Sequence, residues 1–154
     1  MSTFSNWKNY FANQGCRFEN EPVVAFIMLW MCYNQYYNRY HKEYERERAC
    51  ELSKNRQMQN IYKRHKLKIL QEFSKIPYGT ETRKFVRNPL NGKGAMFYEE
   101  KWSLKDFLNV VYQIRCNLFH GEKTPYNNDT DEQLVKWAYD NLYLLLHEYK
   151  KDLF

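Results

Sequence analysis

Glycine and proline are scarce in this chain, with five and four among 154 residues. Most of them are bunched: Pro77, Gly79, Pro89, Gly92 and Gly94 all fall within 76–101. Elsewhere the chain has few helix breakers. There is no internal repeat, no low-complexity tract and no linker, so a single domain over 1–154 is expected. No glycine-rich phosphate loop is present, which removes the common nucleotide-binding motifs. The four cysteines (Cys16, Cys32, Cys50, Cys116) form no C-x-x-C pair. Neither they nor the histidines have metal-ligand spacing, and carboxylates do not cluster. No metal and no cofactor are expected. With no leader-like segment, the thiols read as reduced and the protein as cytoplasmic. The longest apolar run, Pro22 to Cys32, is too short to span a bilayer, so no membrane segment is expected.

Aromatic residues take the place of aliphatic ones. Fourteen tyrosines, ten phenylalanines and four tryptophans accompany a mean hydropathy of −0.86. The core is therefore expected to be aromatic, with phenol groups that need hydrogen-bond partners.

The periodicity predicts an all-α bundle of about five helices, with an irregular insertion between the third and fourth. A short helix is expected over 3–14. One long helix is expected over 21–52, with Pro22 in its first turn. Phe26, Trp30, Tyr33, Tyr37, Tyr40 and Tyr44 form its stripe, and the alternating charges from Lys42 to Glu51 read as an exposed face. A third helix over 55–75 turns Met58, Ile61, Tyr62, Ile69 and Phe73 inward. Residues 76–101 break the pattern, and Asn91-Gly92 suggests a small hairpin. Ser103 and Asp106 form a capping box for a fourth helix with the stripe Leu104, Phe107, Val111, Ile114 and Leu118. Gly121 is its expected stop. A second box, Thr130 with Gln133, opens a last helix over about 131–150, carrying Leu134, Trp137, Ala138, Leu142, Leu145 and Tyr149.

Charge is uneven. Residues 54–93 hold eleven Lys/Arg against two acids, a local +9 in a chain of +6, so the remainder carries −3. Such a segment suits a polyanion, although a solvated helix face is the plainer explanation. If RNA is the partner, Lys63, Arg64, Lys66, Lys68, Arg83, Lys84 and Arg87 are the expected phosphate contacts, with Lys123 after the fourth helix.

That helix ends in Ile114-Arg115-Cys116-Asn117-Leu118-Phe119-His120-Gly121. An imidazole moves protons near neutral pH, and a guanidinium grips a phosphate. Together they suggest RNA cleavage without a metal. On a wheel with Arg115 at zero, the apolar stripe centres near 300°, Asn117 lies near 200° and His120 near 140°. Cleavage through the 2′-hydroxyl wants two proton carriers, one to deprotonate it and one to protonate the 5′-oxygen. One chain offers one motif histidine; a twofold partner would add the second. Arg115 would stabilise the phosphorane, and Asn117 would orient the imidazole or donate to phosphate. The plainer alternatives are a salt bridge from Arg115 to an acid on the last helix, helix-end exposure of Asn117, and a surface histidine at a helix C-terminus.

The string Arg115, Asn117, His120 resembles the R-x(4–6)-H motif of the HEPN superfamily, whose members are all-helical. Phe26 to Asn34 resembles the aromatic helix, with a Trp and an Asn, that packs beside the motif helix in bacterial members. The resemblance spans most of residues 20–150. It implies a metal-independent endoribonuclease completed in a homodimer, of the kind found in toxin–antitoxin pairs and antiviral defence systems. An antitoxin or sensor partner is then expected. One departure is Glu122, where the toxins paired with nucleotidyltransferase antitoxins usually have tyrosine. A non-catalytic module of the same shape, binding RNA or a protein, is the second expectation.

Overall fold

The computed structural model describes residues 3–77, 85–87, 94–96, 103–119 and 129–154. The fold is all-α, with six α-helices and one short strand pair among these residues. Helix α1 (Phe4–Asn13) starts at Thr3, whose hydroxyl accepts from the amide of Asn6. Helix α2 (Pro22–Tyr37) is buried along Phe26, Leu29, Trp30, Tyr33 and Tyr37. Helix α4 (Arg56–Lys75) is capped by the Asn55 side chain and buries all five residues expected to face inward. Helix α5 (Leu104–Phe119) begins with the expected box: the Ser103 hydroxyl accepts from the Asp106 amide at 3.1 Å, and the Ser103 amide donates to Asp106 Oδ2 at 3.0 Å. Helix α6 (Asp129–Tyr149) packs on α2 and α4. It starts at Asp129, one residue ahead of Thr130. No described helix is long and apolar enough to cross a membrane.

The expected long helix over 21–52 is a correction. It breaks after Tyr37, and a six-residue helix α3 (Glu45–Cys50) follows, running into a 3₁₀ turn over Glu51–Lys54. No proline or glycine causes this. Tertiary contacts do. The Tyr33 hydroxyl donates to the carbonyl of Ala49, folding α3 back onto α2. The Arg48 guanidinium donates to the carbonyls of Lys42 and Glu43, which the break leaves without helical partners. In return Ala49, Cys50 and Leu52 are buried. Tyr44, which a continuous stripe would have buried, is 61% exposed.

Within 76–101 the described residues form an antiparallel pair, β1 (Phe85–Arg87) with β2 (Gly94–Met96), in the register Phe85↔Met96. The hairpin expected from the sequence is thus present; Asn91-Gly92 lies outside the described residues. Both strands lie beside α5.

The core is aromatic as expected. Trp137 sits between Phe73 and Phe107, with ring centroids at 4.6 and 5.6 Å, and its indole N–H donates to the carbonyl of Ile69. All four cysteines are free. Burial pushes the thiols of Cys32 and Cys50 up to about 11. A buried thiol resists losing its proton, so roughly one in a thousand would be thiolate at pH 8, and thiolate is the reactive form. Native protein at pH 8 is therefore expected to leave Cys32 and Cys50 unlabelled by a disulfide reagent, while urea-unfolded protein exposes four reactive thiols. Rapid labelling of either residue in the native protein, read by peptide mass, would contradict this.

Candidate functional site

Helix α5 is buried around most of its circumference. Of its expected stripe, Leu104, Phe107, Val111 and Ile114 are buried and Leu118 is half-buried; Leu108, Val110, Tyr112, Gln113 and Asn117 are buried as well. Polar pairing makes this possible. Gln113 Nε2 donates to Asn117 Oδ1 at 2.8 Å, one turn on, and Gln113 Oε1 accepts from Arg46 of α3 at 2.7 Å. Buried amides need such partners. The single apolar stripe expected from the wheel is thus too narrow, because these amides count as exposed in any hydropathy pattern.

Arg115 lies near the C-terminal end of α5, where α2 and α3 meet it. Its terminal Nη2 pairs with Glu45 Oε1 at 3.2 Å. Around the guanidinium stand three rings, Trp30, Tyr112 and Phe119, with centroids at 5.9, 5.8 and 5.0 Å. A cation held over aromatic faces gains from their electron-rich surfaces. The Arg115 side chain keeps 21% of its surface exposed, and Glu45 keeps 27%.

Glu45 is the hub. Its Oε1 also accepts from the Tyr37 hydroxyl at 2.7 Å and from Asn34 Nδ2 at 3.2 Å, and the Tyr112 hydroxyl donates to Oε2 at 3.4 Å. The Tyr37 hydroxyl in turn accepts from Asn34 at 2.6 Å. Burial, and then the hydrogen bond to Glu45, hold the Tyr37 phenol above its ordinary range. Burial does the same for Tyr112, followed by the neighbouring Cys116 and Glu45. Both phenols therefore stay protonated and act as donors. For Arg115, burial opposes the charge, but the Cys116 sulfur and the Glu45 carboxylate outweigh it, and the net shift is upward.

Among the described residues the acid partner of Arg115 is thus on α3 and not on the last helix. Sequence reasoning missed Glu45 because it sits in the alternating charges that read as a solvated face. One signal was available: a lone arginine on a largely apolar helix needs a counter-charge. With eighteen acids in the chain, that signal does not choose among them.

The expected site residues fall as follows. Asn117 is 3% exposed and faces the interior beside Gln113. His120 lies outside the described residues, as do Arg83, Lys84 and Lys123, and Arg87 is described only as the end of β1. On α4, Arg64 pairs with Glu148 at 2.7 Å and Lys68 with Glu72 at 3.6 Å. Lys63 and Lys66 are exposed, with no acid partner among the described residues, and line a groove against the start of α5. The seven described or expected cations of residues 63–87 are therefore not equivalent. Trp30 and Asn34, from the aromatic segment resembling the HEPN helix, do meet α5 and α3: the Trp30 and Tyr112 centroids are 6.0 Å apart, and Asn34 donates to Glu45. No family model, curated protein or solved structure matches this chain.

Proposed function

We propose that this chain is a metal-independent endoribonuclease of the HEPN type, cytoplasmic, working as a homodimer in which two Arg115/His120 sets share one cleft. The observation that carries the proposal is the state of Arg115. It is fixed in place by Glu45 and three rings, yet one-fifth exposed. A guanidinium has five N–H donors. Here Glu45 takes one and the Cys116 sulfur, at 3.8 Å, weakly takes another, while buried Nε has no partner among the described residues. A planar cation oriented in advance, with donors to spare, suits an oxygen-rich phosphate.

The roles then divide. Arg115 stabilises charge on the phosphorane as it develops. His120, five residues on, carries the proton at the 2′-oxygen in one protomer and at the 5′-oxygen in the other. Asn117 acts as a positioning residue: it holds Gln113, which holds Arg46 of α3, the helix that carries Glu45. The test is cleavage of a labelled single-stranded RNA by purified protein in excess EDTA, with the products examined for a 2′,3′-cyclic phosphate end. A toxin or effector role, with an antitoxin or sensor that restrains it, is part of the proposal; co-purification from the native host checks it.

One observation favours a second reading. Glu45 already neutralises Arg115, and Asn117 is turned inward. A non-catalytic module that binds RNA or a protein would have this arrangement too. It predicts binding with no cleavage product.

A further inference from the structure

Two hollows adjoin on the side of α5 away from its C-terminal end. The first, of about 310 Å³, lies between α4 and the start of α5, with Lys63, Lys66 and Lys105 on its walls and Ser103 at its edge. The second, of about 210 Å³, follows α3 along Glu47, Cys50 and Glu51, with Lys42 and Lys54. Ser53 and Lys105 line both, so the two share a wall and together make one depression. Its lining cations outnumber its acids: Glu47 and Glu51 stand against Lys42, Lys54, Lys63, Lys66 and Lys105, and Glu51 is taken by Lys54 at 2.9 Å. Lys63, Lys66 and Lys105 have no acid partner among the described residues, in contrast to Arg64 and Lys68 on the neighbouring flank of α4.

We infer that this depression holds the phosphate backbone of a single RNA strand, with Lys63, Lys66 and Lys105 as its phosphate contacts. The inference rests on the ribonuclease reading for its choice of RNA. Lys63, Lys66 and Lys105 all line the first hollow, and the choice of a strand over a compact anion comes from the ribonuclease reading. Position connects it to Arg115. Lys105 and Arg115 share α5, roughly 15 Å apart along the axis and about 80° apart around it. The helix that walls the second hollow is α3, whose Glu45 holds Arg115. A strand of a few nucleotides would follow α3 from one place to the other. The N-terminus of α5 adds its partial positive charge beside Lys105.

The experiment measures binding of a labelled single-stranded RNA of about twelve nucleotides by fluorescence anisotropy, in full-length protein carrying His120→Ala so that binding is read without cleavage. The triple variant Lys63→Ala/Lys66→Ala/Lys105→Ala is compared with an equal-charge control on the α6 side, Lys136→Ala/Lys150→Ala/Lys151→Ala. Each phosphate contact on a single strand contributes about 0.7 to the salt slope, so the groove variant is expected to lower the slope by about 2. Between 50 and 200 mM salt the parent then loses about 20-fold more affinity than the groove variant. The control keeps the parent slope. Equal slope losses in both triples would mean net charge alone, and would overturn the inference; so would no loss in the groove variant, or no RNA binding by the parent. Cleavage assayed separately with His120 intact keeps the two readings apart. A groove-dependent binder that never cuts RNA overturns the ribonuclease and leaves the groove. Wild-type protein that cuts RNA, alongside a groove variant that binds and cuts equally well, does the reverse.

Discussion

His120→Ala is expected to slow RNA cleavage in EDTA by about 10²–10⁴-fold, the usual contribution of a positioned proton carrier. Arg115→Ala is expected to cost about 10²–10³-fold, as removal of a charge-stabilising donor does. The two losses differ in kind. Removing His120 takes away proton transfer, so the rate deficit should shrink with an RNA whose 5′-leaving group needs no proton. Removing Arg115 takes away charge stabilisation, and that deficit should persist with the activated RNA. Arg115→Lys keeps a cation without the planar fork and should fall between wild type and alanine. Circular dichroism and a melting curve on each variant separate lost chemistry from lost fold. Undiminished cleavage by His120→Ala would exclude the mechanism.

Glu45→Ala is expected to destabilise the fold by about 2–3 kcal/mol, towards the lower end of what breaking a buried pair costs, because both side chains keep part of their surface in water. In a chain of this size that lowers the melting temperature by roughly 5–10 °C. The loss has identifiable parts: Arg115 keeps its charge in a partly desolvated place, and the hydroxyls of Tyr37 and Tyr112 lose their acceptor. Glu45→Gln retains an acceptor oxygen and should lose clearly less. A double-mutant cycle with Arg115→Ala should give a coupling of about 1–3 kcal/mol, since the two side chains are in contact. Additive losses in that cycle would show that the pair does not hold the corner together.

Much of the fold was legible because local pattern and tertiary burial agree. Met58, Ile61, Tyr62, Ile69 and Phe73 repeat at helical spacing and are all buried, and the Ser103–Asp106 box starts α5 where the residue types say it should. The break after Tyr37 was not legible, because Tyr40 and Tyr44 continue the helical spacing and no breaker interrupts it. What ends the helix is a set of contacts to residues eleven to sixteen positions on, Glu45 for Asn34 and Ala49 for Tyr33. The candidate site shows the same division. Arg115 could be singled out from its type and its neighbours. Glu45, Tyr37 and Gln113 could not, since a half-buried acid, phenol or amide looks like an exposed one until its partner is known.

The break has a consequence for the order of assembly. In a continuous helix, Tyr37 and Glu45 would stand roughly 12 Å apart along the axis, out of reach of each other. Folded back, they touch across a separation of eight residues, whereas Arg115 arrives from seventy residues beyond Glu45. Closing the longer loop costs about 2 kcal/mol more in chain entropy than closing the shorter one. Asn34, Tyr37 and Glu45 therefore meet at the lower entropic cost, and α5 completes the corner by bringing Arg115 together with the Tyr112 hydroxyl and the Tyr112 and Phe119 rings.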